Sequence, residues 1–210
     1  MNLGLREFNH SSMTPSDPSP PLREAEFLTG RALIAMPGIG DPRFERAVIL
    51  ICAHDSGHAM GLVVNRPIDG LTSPELLERL GVSAAADAPQ EPVLIGGPVE
   101  RERGFVLHTD DYLNEGSSAK VSEGIALTAT RDVLEAMADP ARRPRKAVLA
   151  LGYSGWGAGQ LEQEIRDNIW LTCDPDEALV FSHDHDHKWS QALARLGVSA
   201  DRLSGQAGRA

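Results

Sequence analysis

The eight residues Ala47-Val-Ile-Leu-Ile-Cys-Ala-His54 set the tightest limit on what this chain can fold into. The run is rich in β-branched side chains and has no polar alternation. That pattern predicts a strand covered on both faces rather than one with a solvated side. Such a strand needs a packed layer on each side of it. The chain's 210 residues, 41% of them hydrophobic, suffice for one domain with that much core. Asp55-Ser56-Gly57-His58 has turn chemistry and Ala59 to Asn65 is a second apolar run, so the two runs predict a hairpin.

Other segments supply the covering layers. Arg31 to Met36 reads as a strand stopped by Pro37 and Gly38. Asp41-Pro42 reads as a cap with proline at the first position of a single turn ending by Arg46. Thr72-Ser73-Pro74-Glu75 fits a capping box, with Leu76, Leu77 and Leu80 as the buried stripe and Gly81 as the stop. Short strands are expected at Val93 to Ile95, Gly104 to His108, Ile125 to Thr128, Lys146 to Tyr153, Ile169 to Leu171 and Ala178 to Phe181. Helices are expected over Arg131 to Ala138, over Gly159 to Asn168 with Glu162 paired to Arg166, and over His187 to Leu196. In the last helix Trp189, Leu193 and Leu196 should face inward. Hairpins mixed with helices, without strict βαβ alternation, favour an α+β or mixed α/β single domain. Residues 1–26, rich in Pro and Ser, read as a disordered tail; 27–198 as the domain; 199–210 as a flexible end.

Charge narrows the function classes. A formal net charge of −10 repels phosphate at long range, so direct nucleic-acid binding is not expected. The local exception, Arg142-Arg143-Pro144-Arg145-Lys146, reads as a solvated loop entering a strand. Two distant cysteines, Cys52 and Cys173, make no disulfide framework. No apolar stretch approaches the ~20 residues that cross a bilayer, and the first thirty residues lack a signal-peptide core. The expectation is a cytoplasmic protein without cofactors.

Four constellations could carry chemistry. Cys52 and His54, two apart on a strand, are expected to face the same side about 6.6 Å apart. They could form an activated thiolate, with His108 as a possible third member, or be a structural thiol beside a satisfied histidine. Gly96-Gly97-Pro98-Val99, followed by Arg103 and preceded by Asn65, could bind an anion through its amides or make a sharp turn. Gly152-Tyr153-Ser154-Gly155-Trp156 sits where a nucleophile elbow would, but Trp156 breaks the G-x-S-x-G pattern. His183, His185 and His187 alternate with Asp184 and Asp186. They could bind zinc or nickel, or form an exposed loop with an aspartate capping the last helix.

These landmarks also carry a resemblance. Leu33-Ile-Ala-Met-Pro37, Asp41-Pro42-x-Phe44, Cys52-x-His54, Gly61 with Asn65-x-Pro67, and Gly96-Gly-Pro-Val99 all take part. So do Arg103-Gly-Phe-Val-Leu-His108, Thr130-Arg-Asp-Val-Leu134, Leu151-Gly-Tyr153, Trp156, Gly159-Gln-Leu-Glu162, Asn168 and Trp170. Together they resemble the YqgE/AlgH family of bacteria over residues 27 to 198. The resemblance implies a bent, partly closed mixed β-sheet, a pseudo-barrel, with helices packed around it. It implies an uncharacterised protein or a regulator of transcription, and it assigns no catalytic residue. Since the sequence also holds no complete catalytic set, the expectation is a non-enzymatic binding or regulatory module acting through a protein partner or small ligand, with a cysteine-based enzyme or redox sensor at Cys52 and His54 as the alternative. The proline-rich leading segment and the His183 to His187 stretch depart from the family pattern.

Overall fold

The computed structural model describes residues 27–200 and Leu203; the expectations for residues 1–26 and for most of 199–210 lie outside them. Ten strands are present: β1 (Ala32–Ala35), β2 (Val48–His54), β3 (His58–Val63), β4 (Pro67–Thr72), β5 (Pro92–Ile95), β6 (Val99–Thr109), β7 (Ser118–Ser122), β8 (Ile125–Thr128), β9 (Ala147–Gly157) and β10 (Trp170–Cys173). Five α-helices accompany them: α1 (Ser73–Arg79), α2 (Arg131–Ala138), α3 (Gln160–Arg166), α4 (Glu177–Phe181) and α5 (Lys188–Arg195). Among the described residues no helix is long and apolar enough to cross a membrane.

Sheet order along the main path is β10-β1-β2-β3-β9-β6-β8-β7, with β5 parallel to β9 and β4 beyond it. The long strand β9 joins two halves. Its Ser154 to Gly157 segment pairs with β3, and its first half lies between β5 and β6. Gly152, at φ +72, marks the joint, a conformation glycine adopts without strain. The sheet curls until β7 approaches β2. A side chain at Gly30, just before β1, would stand 2.9 Å from the Val121 carbonyl oxygen, and Val121 shares a core cluster with Val48 and Cys52. The result is a half-barrel, the bent mixed sheet that the family motifs imply.

The apolar run behaves as its pattern demands. Val48, Leu50 and Cys52 enter the inner core with Leu62, Leu107 and Trp189. Ala47, Ile49 and Ile51 enter a second core with Trp156, Leu161 and Trp170. Alternate residues thus feed two cores, closed by α4 and α5 on one side and by α3 on the other. A third cluster lies under α1 and α2. The predicted hairpin is β2–β3, its turn held by Asp55 Oδ1, which accepts from the Gly57 and His58 amides. The capping box is present: the Glu75 carboxylate accepts from the Thr72 N–H at 2.8 Å.

Several expectations are corrected. Ala178 to Phe181 is not a strand. It lies in α4, because the Asp176 carboxylate accepts from the Leu179 N–H at 2.8 Å and starts a helical turn. Leu196 is 40% exposed, since the helix ends at Arg195 and its side chain no longer follows the buried stripe. Neither Asp184 nor Asp186 caps α5; Asp184 turns to His187 and Gln191 instead. Gly152 to Trp156 runs inside β9, so no strand-to-helix elbow exists there. Strands β4 and β7 were not anticipated, because their residues are mostly polar or exposed.

Candidate functional site

The Cys52–His54 pair does not form. Across the β2–β3 ladder Ile51 faces Gly61 and Ala53 faces Met60, leaving Cys52 as the extra residue of a bulge. The bulge reverses the alternation. Cys52 stays with the inner core, whereas the His54 ring sits with α3 on the opposite side. There its Nδ1 accepts the Leu28 N–H at 2.9 Å, and its Nε2–H donates to Glu162 Oε1 at 3.1 Å. Glu162 therefore does not pair with Arg166, which donates to Gln163. The Cys52 thiol is 5% exposed, and burial pushes its pKa up to about 12. A thiol held that high is protonated at neutral pH and is not activated by a histidine.

His108 is fully buried and far from that pair in role. Its Nδ1–H donates to the Thr109 carbonyl, so its Nε2 accepts the Thr128 hydroxyl at 2.9 Å; burial lowers its pKa. Nearby, Asp132 at the start of α2 accepts from Tyr112, Asn114, Ser117 and Thr130, stapling the 112–118 loop to the helix.

The glycine pair has a definite task. Strand β5 lies on one side of β9 and β6 on the other, so the link through Gly96, Gly97 and Pro98 must cross over β9. A Cβ on Gly97 would stand 2.1 Å from the Tyr153 carbonyl carbon, and one on Gly96 would stand 2.3 Å from the Gly152 oxygen. Neither glycine has positive φ. Close approach, not a turn conformation, requires them. Asn65 is also committed to backbone: its Oδ1 accepts from the Val48 N–H and its Nδ2 donates to the Arg46 carbonyl, both at 2.9 Å. Arg103 pairs with Glu100 at 3.0 Å and lies over the Phe105 ring.

Beside the Gly97–Pro98 crossing the surface opens into two adjoining clefts that share Arg43, Phe44 and Pro98. The smaller, about 220 Å³, is lined by Arg43, Arg66 and Arg101 over an apolar wall of Phe44, Val63 and Ile95, with no carboxylate in its lining. Asp41 clamps Arg43 through both oxygens, with the shortest contact 2.6 Å. Arg66 donates to the uncharged Glu45 carbonyl, and Arg101 makes no ion pair among the described residues. The larger cleft, about 520 Å³, runs to Trp156 and Trp170. Both indole N–H groups donate to Glu164 Oε2, at 2.8 and 2.7 Å, and Gln160 donates to Glu164 Oε1. Ser154 Oγ, buried in that wall, has no partner among the described residues. Of the ligand-binding residues expected, Gly97 lines this site; Asn65, Gly96 and Arg103 do not. Arg43, Arg66, Arg101 and Glu164 were missed, since they come from separate segments with no shared motif.

The three histidines of the 183–187 stretch diverge. His183 pairs with Glu91 at 2.9 Å, and His187 with Asp184 at 2.7 Å, which raises the His187 pKa. His185 turns inward, where burial and the Lys188 ammonium lower its pKa. No group of three or more His, Cys, Asp or Glu side chains able to hold a metal ion occurs among the described residues. Lys188 is the buried surprise: it is 0% exposed, and its ammonium donates to the Val64 and Val180 carbonyls at 2.8 Å. Burial lowers its pKa to about 8, against the pull of Glu91 and Asp184.

Fold and cleft define a class: an α/β half-barrel whose polar and glycine landmarks shape strand crossings and a cationic cleft. The landmarks at Asp41, Phe44, Pro98, Val99, Trp156, Gln160 and Trp170 all gather on the paired clefts. A family model described as AlgH-like matches residues 32–201, and the chain belongs to that family. A UPF0301 protein of Caulobacter vibrioides is 64% identical over 187 residues, covering 89% of this chain and 96% of that protein. One from Ruegeria pomeroyi is 55% identical over 184 residues, covering 87% and 99%. The solution structure of the AlgH protein from Pseudomonas aeruginosa matches with a TM-score of 0.70 at 40% identity, covering 94% of this chain and 100% of that one. A protein from Corynebacterium diphtheriae shares the fold at 19% identity and a TM-score of 0.64, covering 87% of this chain and 90% of that one.

Proposed function

We propose that the protein is a non-enzymatic binding module of the bacterial cytoplasm. In this reading it regulates gene expression by taking a small anionic ligand and presenting the loaded cleft to a protein partner. One observation carries the reading: three arginines line one small cleft of a chain whose formal charge is −10. An acidic surface repels anions at long range, so a cationic cleft within it is a local and selective exception. Guanidinium groups suit planar or tetrahedral oxyanions because their N–H donors form a fork. Asp41 already neutralises Arg43 and fixes its orientation, which leaves the charges of Arg66 and Arg101 for the ligand. The anionic end would sit between those two, and the rest of the molecule would extend toward the indoles, within reach of the unpartnered Ser154 hydroxyl.

The test is calorimetric titration with inorganic pyrophosphate at low salt. Saturable binding by the wild-type protein is expected. A hydrogen bond to a charged group contributes about 1.5–3 kcal/mol, so the Arg66→Gln/Arg101→Gln double variant should bind at least roughly tenfold more weakly. Equal affinity in the double variant, or no saturable binding by the wild type, refutes the reading.

A further inference from the structure

A third cleft, about 480 Å³, lies between α1, the end of α2, the start of β9 and α4, and shares no lining residue with the two clefts beside the Gly97–Pro98 crossing. Its volume falls within the roughly 300–1,000 Å³ of small-molecule sites. Leu77, Met137, Ala147 and Phe181 make its walls apolar, and Pro74 and Pro144 stiffen them. Set into that lining is Ser73, 3% exposed, whose Oγ has no hydrogen-bond partner among the described residues. A buried hydroxyl without a partner is unfavourable, so it marks a position where a ligand group restores the lost bond. The backbone of Ser73 is held in place, its N–H donating to the Glu91 carbonyl at 2.7 Å.

Charge at the rim specifies the ligand further. Arg143, Arg145 and Lys146, the basic segment of the sequence, stand along one side. Asp87 takes Arg143 at 2.6 Å, and Glu177 takes Arg145 at 2.8 Å and Lys146 at 3.4 Å. Glu91 opposite is paired with His183. The three cations Arg143, Arg145 and Lys146 are balanced by the three carboxylates of Asp87, Glu177 and Glu91, so the rim has no net charge and favours neither an anion nor a cation. We propose that this cleft is a binding site for an uncharged, mostly apolar small molecule that carries one hydrogen-bonding group, seated on Ser73 Oγ. Aromatic molecules suit it well, since a thioether (Met137) and an aromatic residue (Phe181) are among its lining side chains. The site stands independently of the arginine cleft.

The test titrates the full chain with 2-naphthol, and separately with 2-naphthoate, while following methyl resonances by NMR. The expected result is saturable shifts for the methyls of Leu77, Met137, Ala147 and Ala178 with naphthol, and at least tenfold weaker binding of the anion. Ser73→Ala should weaken naphthol binding roughly three- to tenfold, the loss of one neutral hydrogen bond. Ala178→Trp alters an exposed position of α4 on the cleft lining, so folding is retained while entry is blocked and the shifts vanish. No saturable shift in the wild type, equal affinity for naphthoate, or unchanged affinity in Ser73→Ala overturns the proposal.

Discussion

Removing Cys173 by Cys173→Ser leaves Cys52 as the one thiol of the chain, and its alkylation rate can then be worked out in advance. Burial raises the Cys52 pKa from 9.0 to about 12, which cuts its thiolate fraction at neutral pH about a thousandfold. A more basic thiolate is a better nucleophile; with a Brønsted slope of about 0.4–0.5, three pKa units return roughly 15- to 30-fold. Chemistry alone therefore slows the native thiol roughly 30- to 60-fold relative to the unfolded one. Exclusion adds to this, because a side chain 5% exposed within the inner core must wait for the sheet to open. The assay compares iodoacetamide alkylation at pH 7.5 in buffer and in denaturing urea, with mass spectrometry as the readout. A native rate at least 30-fold below the denatured rate is expected. A native rate equal to or above the denatured one would refute the reasoning and revive a thiol-based function.

Lys188→Met should change how stability responds to alkali. In the folded state Lys188 loses its proton near pH 8, while in the unfolded chain it holds it to 10.5, so unfolded molecules bind more protons across that window. Wild-type stability relative to the variant should thus rise between pH 8 and 10.5, by up to about 3 kcal/mol, in urea titrations. A difference that stays flat with pH contradicts the buried-ammonium account. Gly97→Ala should destabilise by at least about 3 kcal/mol or prevent folding, since its Cβ meets the β9 backbone and not a flexible side chain. Thermal unfolding measures this, and a melting temperature within a degree of wild type would show that the crossing can relax.

The sequence pattern revealed most of the fold where local chemistry decides it. The uniform apolar run could only be a strand with two covered faces, and Asp55 and Thr72 announced a turn and a helix start through their own hydrogen bonds. Where tertiary contacts decide, the pattern was silent. Nothing in Ile51-Cys52-Ala53 signals a bulge, yet that one extra residue separates Cys52 from His54 and removes the most attractive reaction centre. Ala178 to Phe181 has strand composition, but the Asp176 cap prevailed. The Gly96–Gly97 pair was visible as a place needing glycine. Its reason, a chain crossing over β9, depends on a strand fifty residues later in the sequence. The arginine cleft was least legible, because Arg43, Arg66 and Arg101 come together only once the half-barrel has formed.

The measurement that bears most directly on the binding account is amide chemical-shift mapping of the full chain during titration with pyrophosphate. The account predicts saturable changes confined to the segments around Arg43, Arg66 and Gly97 to Arg101, with the amides flanking Cys52 and His108 left unmoved. Changes absent from those segments, or spread evenly over the basic residues of the whole surface, would contradict it.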